Sequence, residues 1–189
     1  MKIEKIFSDL KDDLQSINEK ANERLLKEEQ VRSSIYCSLR NQDYIVAAER
    51  NFNKNSEIEC DLVFWKDSNP ESWMEIKTCW YSENKEDKRR LDKNGNNSWT
   101  NKSSEQFKNW KKDIEKLNKI EESKLSKYFV LVEQCYDVSL FDKLIDNNLY
   151  NINDCFGNIK YEKIEFDLKW NKAPVDKCIV RIFDLKNYS

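Results

Sequence analysis

The sequence predicts an α/β protein in which helices flank a mixed central sheet. Three observations lead to this class. A helical pattern occupies residues 1 to about 41, three short apolar segments follow it, and a further helix precedes a fourth apolar segment. Elements in this order bury their apolar sides by packing helices on the faces of a sheet. The chain has 189 residues, which is long enough for a buried core, and we expect a single domain over residues 1–189.

The N-terminal helical pattern is expected to form two helices or one interrupted helix. In its second part, residues recur at steps of three or four, which is the spacing of one helix face: Leu25, Glu28, Val31 or Arg32, Ile35 and Leu39. Glu28 is therefore expected on or beside the face that packs against the sheet.

Three strands are predicted next, over residues 44–49, 58–65 and 73–80. A polar turn that contains Pro70 separates the second and third strands, which predicts a hairpin. Both strands carry charged residues inside apolar sequence: Asp61 in the second, and Glu75 with Lys77 in the third.

The rest of the chain supplies two more helices and three more strands. A helix is expected to begin near Ser103, because Phe107, Trp110, Ile114 and Leu117 then recur at helical spacing. A fourth strand is predicted over residues 127–133, a helix near 137–149, and two later strands near 159–168 and 178–184.

The composition excludes several classes of function. The chain has no histidine, so Ser-His-Asp triads, Cys-His pairs and histidine-ligated zinc are ruled out. Only two glycines occur, too few for phosphate-binding or dinucleotide-binding loops. The six cysteines form no CxxC pair, and because most of them lie in apolar sequence, buried free thiols are expected rather than a zinc site. No apolar run is long enough to span a membrane, and the charged N-terminal stretch lacks a secretory signal, so we expect a cytoplasmic protein.

The charged residues of the hairpin predict a metal site. Side chains alternate between the two faces of a strand, so Glu75 and Lys77 point the same way, and strand pairing can bring Asp61 onto that face. Two carboxylates beside one amine suit a divalent cation and phosphodiester hydrolysis. The alternative is a set of cross-strand ion pairs on an exposed sheet face. The same acidic-x-Lys triplet recurs elsewhere in this highly charged chain, and what distinguishes Glu75-Ile76-Lys77 is its apolar strand context.

Asp61 followed by Glu75-Ile76-Lys77, between a preceding acidic helix and a following helix that contains Gln106, resembles the PD-(D/E)XK nuclease superfamily. The resemblance covers about residues 23–135. It implies a restriction-endonuclease-like αβββαβ core with an N-terminal helical extension and additional C-terminal strands. Cys60 stands where the motif's proline is expected, a departure that many members of the superfamily share.

The resemblance implies roles for the residues of the motif. Asp61 and Glu75 would bind Mg²⁺, with Mn²⁺ as a substitute, and the backbone carbonyl of Ile76 would add a third oxygen ligand. Lys77 would orient the attacking water or help to deprotonate it, and would stabilise charge in the transition state.

The two flanking helices would add further groups. Members of the superfamily often take an acid from the first helix, and Glu28 matches best, with Glu29 as the open alternative. Gln106, in the helix after the motif, would face the metal-bound water or the phosphate. For each of these residues the alternative is an ordinary side chain on the surface of a helix.

A polar segment over residues 81–102 is the candidate nucleic-acid contact. Arg89, Arg90 and Lys102 could follow a phosphate backbone, and Trp99 could stack on a base. The alternative is a solvated loop, because acidic residues dilute its charge. The net charge of the whole chain is −2, so any nucleic-acid footprint is local.

The expected function is therefore that of a Mg²⁺-dependent nuclease that acts on DNA. A catalytically silent nuclease fold that serves as a binding or assembly module, and an RNase on the same scaffold, are the alternatives. The chain is small for an enzyme with its own recognition domain, so we expect a homodimer or a targeting partner protein.

Overall fold

The structure is a computed structural model of the whole chain. It describes residues 1–21, 26–51, 59–67, 71–81, 103–120, 125–136, 139–146, 160–168 and 177–185. The candidate nucleic-acid residues Arg89, Arg90, Trp99 and Lys102 lie outside these ranges.

The described residues form four helices and six strands. In chain order these are α1 (Ile3–Ala21), α2 (Glu28–Asn41), β1 (Ile45–Asn51), β2 (Glu59–Trp65), β3 (Ser72–Tyr81), α3 (Ser103–Asn118), β4 (Ser126–Cys135), α4 (Leu140–Asp146), β5 (Tyr161–Asp167) and β6 (Lys177–Asp184). Each element that the sequence predicts is present, with ends that differ by a few residues. The N-terminal pattern forms two separate helices.

The six strands form one mixed sheet in the order β1-β2-β3-β4-β6-β5. Strands β1, β2 and β3 are antiparallel neighbours, and β4, β6 and β5 are as well. Between these two groups, β3 and β4 run parallel, and α3 lies in the connection because parallel neighbours require a crossover. The mixed sheet flanked by helices is thus confirmed.

Apolar side chains cover both faces of the sheet and form two cores. On one face, strand residues such as Leu62, Met74 and Ile76 pack with residues of α1 and α2. On the other face, strand residues such as Val63 and Trp73 pack with residues of α3 and α4. Because strand side chains alternate, Glu75 and Lys77 share the α3 face with Trp73.

The start of α2 is fixed by a buried side chain of the sheet. Gln134, on β4, accepts a hydrogen bond from the Leu26 N–H (2.8 Å) and donates one to the Leu26 carbonyl (2.9 Å). Gln134 is fully buried, so both bonds lie away from water. The helix begins two residues later with Glu28, so the hydrogen bonds of the Gln134 amide fix the position of the start of α2, which carries Glu28.

The burial of the cysteine side chains agrees in part with the sequence prediction. Cys60, Cys79 and Cys178 are buried free thiols, Cys135 is buried as well, and Cys37 lies on the surface. Cys155 lies outside the described residues. Among the described helices, none combines the length and apolar character needed to cross a membrane.

Candidate active site

The register of β2 and β3 brings the two candidate carboxylates together. Leu62 pairs with Met74, so the preceding Asp61 lies opposite Glu75 on the same face of the sheet. The Asp61 carboxylate also accepts a hydrogen bond from the Ile76 backbone N–H, at 2.7 Å from Oδ2. This bond holds the Asp61 side chain across β3, beside Glu75.

On its other side, Asp61 faces a local distortion of β1. The β1–β2 pairing includes Ala48 with Leu62 and Arg50 with Cys60, but not Glu49 with Asp61. Glu49 has a left-handed backbone (φ 51°), which is uncommon for a residue with a side chain.

Arg32, from α2, forms ion pairs with both Glu49 and Asp61 at this distortion of β1. Its Nη1 lies 2.8 Å from Glu49 Oε1 and 3.4 Å from Asp61 Oδ1. One guanidinium group therefore holds a candidate metal ligand and a second carboxylate together.

Lys77 lies at the centre of three carboxylates. Its Nζ is 3.4 Å from Glu28 Oε1, 3.5 Å from Glu75 Oε1 and 3.7 Å from Asp113 Oδ2. These acids come from α2, β3 and α3, so the amine joins two helices to the sheet.

A second lysine, from α3, contacts the more buried of the two candidate ligands. Lys116 Nζ lies 2.7 Å from Glu75 Oε2 and 3.7 Å from Asp113 Oδ1. Since Lys77 contacts Oε1, each oxygen of Glu75 has its own ammonium group. The Glu75 side chain is only 5% exposed, and a buried carboxylate needs such compensation.

Three acids of the site, Glu75, Glu28 and Asp113, have raised pKa values. Burial, followed by the nearby charge of Asp61, raises the pKa of Glu75 to about 7, although Lys116 and Lys77 act in the opposite direction. Burial is also the main cause that raises the pKa values of Glu28 and Asp113. Burying carboxylates together disfavours their charged forms.

Burial and the neighbouring charges of opposite sign act on the pKa of Lys77 in directions opposite to those for the acids. Burial lowers its pKa, but the carboxylates around it, with Asp113 and Glu28 foremost, outweigh burial and raise the pKa above its ordinary value. An amine with a raised pKa stays protonated at neutral pH. Lys77 can therefore donate hydrogen bonds and stabilise negative charge, but in this arrangement it is a poor proton acceptor.

A cavity of about 390 Å³ opens beside these groups. Its lining includes five acidic side chains and three basic ones. They are Glu49, Glu59, Asp61, Glu75 and Asp113 on the acidic side, and Arg32, Lys112 and Lys116 on the basic side. With all of them ionised, the lining carries two more negative charges than positive ones, an excess that one divalent cation would balance.

The cavity also contains a cysteine that takes no part in acid–base or nucleophilic chemistry. Burial, followed by the charge of Glu75, raises the pKa of the Cys60 thiol to about 12. The thiol stays protonated near neutral pH, and only a thiolate is a competent nucleophile.

The donor set is suited to Mg²⁺ in chemistry and charge. Asp61 and Glu75 offer carboxylate oxygens, the ligands that this hard cation prefers. Across the parts of the chain that the structure describes, no group of three or more acidic, cysteine or histidine side chains is arranged as a metal cage. Instead, arginine and lysine side chains contact the carboxylates.

The structure brings together most of the residues that the sequence singled out. Asp61, Glu75, Lys77 and Glu28 lie in one connected cluster, and the Ile76 backbone bonds to Asp61. Glu29, the alternative to Glu28, is exposed.

Gln106 is buried in α3 and lies apart from this cluster. Within the described residues, no hydrogen bond links Gln106 to the carboxylates or to Lys77, and it does not line the cavity.

Sequence reasoning missed the basic residues that the helices contribute. No role in the site is predicted from the sequence for Arg32, Lys112 or Lys116, nor for the acidic residue Asp113. Asp113 and Lys116 each lie one position before Ile114 and Leu117, on the border of the apolar face of α3. That position was the available signal, because a residue there borders whatever the apolar face covers.

Comparison of the chain with protein-family models, with curated proteins and with solved structures gave no significant match. The function is therefore inferred from the chemistry of the site.

Proposed function

We propose that the protein is a Mg²⁺-dependent phosphodiester hydrolase, a nuclease of the PD-(D/E)XK type that acts on DNA. The observation that carries the proposal is the convergence of Asp61, Glu75 and Lys77 on one sheet face beside a cavity. The buried Glu75 carboxylate lies beside the charge of Asp61, and both its burial and that charge raise its pKa, which favours a cation at this point. A binding site for a divalent cation accounts for this arrangement.

The order of the elements supports the restriction-endonuclease-like core. From α2 to β4 the chain forms helix, three antiparallel strands, helix and a strand parallel to β3. This order accords with the αβββαβ core that the motif resemblance implies. In that scheme α1 is the N-terminal extension, and β5 and β6 are the additional strands.

The proposed mechanism assigns one role to each group. Asp61 and Glu75 supply carboxylate oxygens to the metal ion, with the Ile76 carbonyl as a third ligand. Bound Mg²⁺ would lower the pKa of a coordinated water and neutralise charge on the scissile phosphate.

Lys77 remains protonated, orients the attacking water and stabilises the negative charge that grows on the phosphate. Glu28 accepts a hydrogen bond from Lys77 Nζ and holds the amine in place.

A catalytically silent binding or assembly module is the second candidate. It is favoured by the contacts of Lys77 and Lys116 with both oxygens of Glu75. If these lysines are permanent partners, the cluster is a structural ion network. For either candidate, a homodimer or a targeting protein partner would provide specificity.

The test is a cleavage assay on plasmid, linear duplex DNA, single-stranded DNA and RNA, with Mg²⁺ or Mn²⁺ and with EDTA. The wild type is compared with Lys77→Met and with the control Lys111→Met. Lys111 is an exposed lysine on α3 that contacts Glu115 and does not line the cavity. We expect metal-dependent cutting of DNA that Lys77→Met loses and Lys111→Met keeps.

Other outcomes separate the candidates. Cutting of RNA alone would replace the DNase with an RNase. If nothing is cut, calorimetric titration with Mn²⁺ decides: binding that Asp61→Asn abolishes supports a metal site, whereas the absence of binding supports the silent module.

A further inference from the structure

Each candidate metal ligand is held by a basic side chain that comes from a helix. Arg32, from α2, contacts Asp61 at 3.4 Å, and Lys116, from α3, contacts Glu75 at 2.7 Å. Both basic residues line the same cavity as the two carboxylates. The two helices pack on opposite faces of the sheet, yet they deliver their cations to one place.

We propose that Arg32 and Lys116 are exchangeable counter-ions. They hold Asp61 and Glu75 in the metal-free protein, and they move to the phosphate of the substrate when a divalent cation binds the carboxylates. This inference rests on the proposed nuclease function and extends it by two phosphate-binding residues outside the motif.

A comparison with another ion pair in the same protein separates exchangeable from permanent contacts. Arg181 and Glu133 are both 0% exposed, and Arg181 also contacts Ser139. The guanidinium of Arg181 also lies over the ring of Phe141, so this pair is enclosed on several sides. Arg181 also contacts Asp142, whose side chain is 40% exposed, but Glu133 is fully buried, so moving Arg181 away would leave a buried carboxylate without its cation.

The pairs at the candidate site are more open on the basic side than on the acidic side. The Lys116 and Arg32 side chains are 24% and 22% exposed, whereas the Glu75 and Asp61 side chains are 5% and 12% exposed. A long basic side chain can keep its stem packed while its charged end moves through solvent. The carboxylate stays in the sheet, and the cation is the partner that can leave.

Electrostatics gives the direction of the exchange. Lys116 occupies Glu75 Oε2, and a divalent cation at that oxygen repels the ammonium group. The displaced cation remains at the rim of a cavity into which a phosphate would enter. There it can form a charge-assisted hydrogen bond, and Arg32 can bind a phosphate through two parallel bonds.

The first test measures metal affinity without nucleic acid. Mn²⁺ is titrated calorimetrically, under argon at about pH 8.5, into the wild type, Lys116→Met, Arg32→Met and the control Lys111→Met. Removing a competing cation is expected to tighten Mn²⁺ binding by about fivefold, as for an ion pair worth about 1 kcal/mol. The pH lies above the pKa of about 7 of Glu75, so protons compete little with the metal. Lys111→Met should bind Mn²⁺ as the wild type does.

The second test measures the contact with phosphate. A short fluorescein-labelled duplex DNA is titrated with each protein, in the Lys77→Met background to suppress cutting, with and without saturating Mn²⁺. Lys116→Met and Arg32→Met are each expected to weaken DNA binding by about tenfold with Mn²⁺, the loss typical of one charge-assisted hydrogen bond. Without Mn²⁺ the difference should be much smaller, because the cations are then held by the carboxylates.

The combination of tighter metal binding and weaker DNA binding is not expected from a merely structural pair. Suppose that the wild type binds Mn²⁺ and cuts DNA, but that Lys116→Met and Arg32→Met leave the Mn²⁺ affinity unchanged or weaken it. The proposed exchange of counter-ions is then refuted, and the proposed nuclease function is retained. If the wild type binds no Mn²⁺, both proposals are refuted. Near-ultraviolet circular dichroism verifies folding, and Lys116→Gln provides a second variant that keeps a polar side chain.

Discussion

Replacing Glu75 by glutamine is expected to remove much of the pH dependence of the stability of the metal-free protein. In the folded protein, burial and Asp61 raise the pKa of Glu75 from an ordinary value of 4.5 to about 7. Folded Glu75 therefore binds more protons than unfolded Glu75 within this range. Stability must then fall as the pH rises from about 4.5 to about 7, because the unfolded state releases its proton first.

The size of the effect follows from the shift. A displacement from 4.5 to about 7 corresponds to about 3 kcal/mol, and about 2 kcal/mol of it falls between pH 5 and pH 8. Glu75→Gln keeps the shape of the side chain and carries no titrating group. Its free energy of unfolding should therefore decrease by about 2 kcal/mol less than that of the wild type over this range.

Urea unfolding in EDTA, followed by circular dichroism at several pH values, measures this difference. Glu115→Gln, at an exposed position of α3, is the control and should follow the wild type. Parallel curves for wild type and Glu75→Gln would refute the reasoning, because they would mean that Glu75 titrates alike in both states. At pH 8, Mn²⁺ at about 100 times its Kd should stabilise the wild type by about 2.7 kcal/mol and have little effect on Glu75→Gln.

Three further predictions concern other parts of the structure. Lys77→Met should reduce the rate of DNA cleavage by a factor of about 10² to 10³, the usual effect of removing one donor that stabilises charge in the transition state, while the Mn²⁺ affinity is retained. A cleavage rate near that of the wild type would mean that Lys77 has no role in catalysis. Gln134→Leu leaves the buried backbone groups of Leu26 without their partners and should lower the free energy of unfolding, measured in urea, by about 2 kcal/mol or more. A loss below about 0.5 kcal/mol would mean that the two hydrogen bonds of Gln134 do not hold the start of α2. Arg181→Met leaves the buried carboxylate of Glu133 without its cation and should cost about 3 to 5 kcal/mol by the same measurement. Adding Glu133→Gln, which keeps an acceptor for Ser139 and the Phe141 N–H, should recover part of the loss, and no recovery would mean that the unpaired charge is not its cause.

The sequence was sufficient to predict the elements and to place Asp61, Glu75 and Lys77 on one face of the sheet. The period of two along residues 73–80 placed Glu75 and Lys77 on one face, and this pattern depends only on strand geometry. Pairing as a hairpin was enough to bring Asp61 to the same face. Glu28 also followed from local periodicity, since it shares a helical spacing with Ile35 and Leu39.

The sequence could not predict how far each helix residue reaches into the site. The resemblance places Gln106 at the site, whereas the residues of α3 that contact Glu75 and Lys77 are Lys116 and Asp113, which lie two to three turns after Gln106. The position of α3 along the sheet is set by the packing of Trp110, Ile114 and Leu117 in the second core. That packing involves residues distant in sequence, so the position of α3 along the sheet cannot be predicted from the local sequence pattern.

The sequence by itself thus determined which residues share a face, because the repeats of helices and strands are local properties of the backbone. Only the tertiary structure decided which charges are neighbours. Arg32 contacts a residue 29 positions away, and Lys77 contacts one 49 positions away. The pKa of Glu75 also depends on how completely packing removes it from water and on the charges around it. Burial and long-range electrostatics arise only when the whole chain has folded.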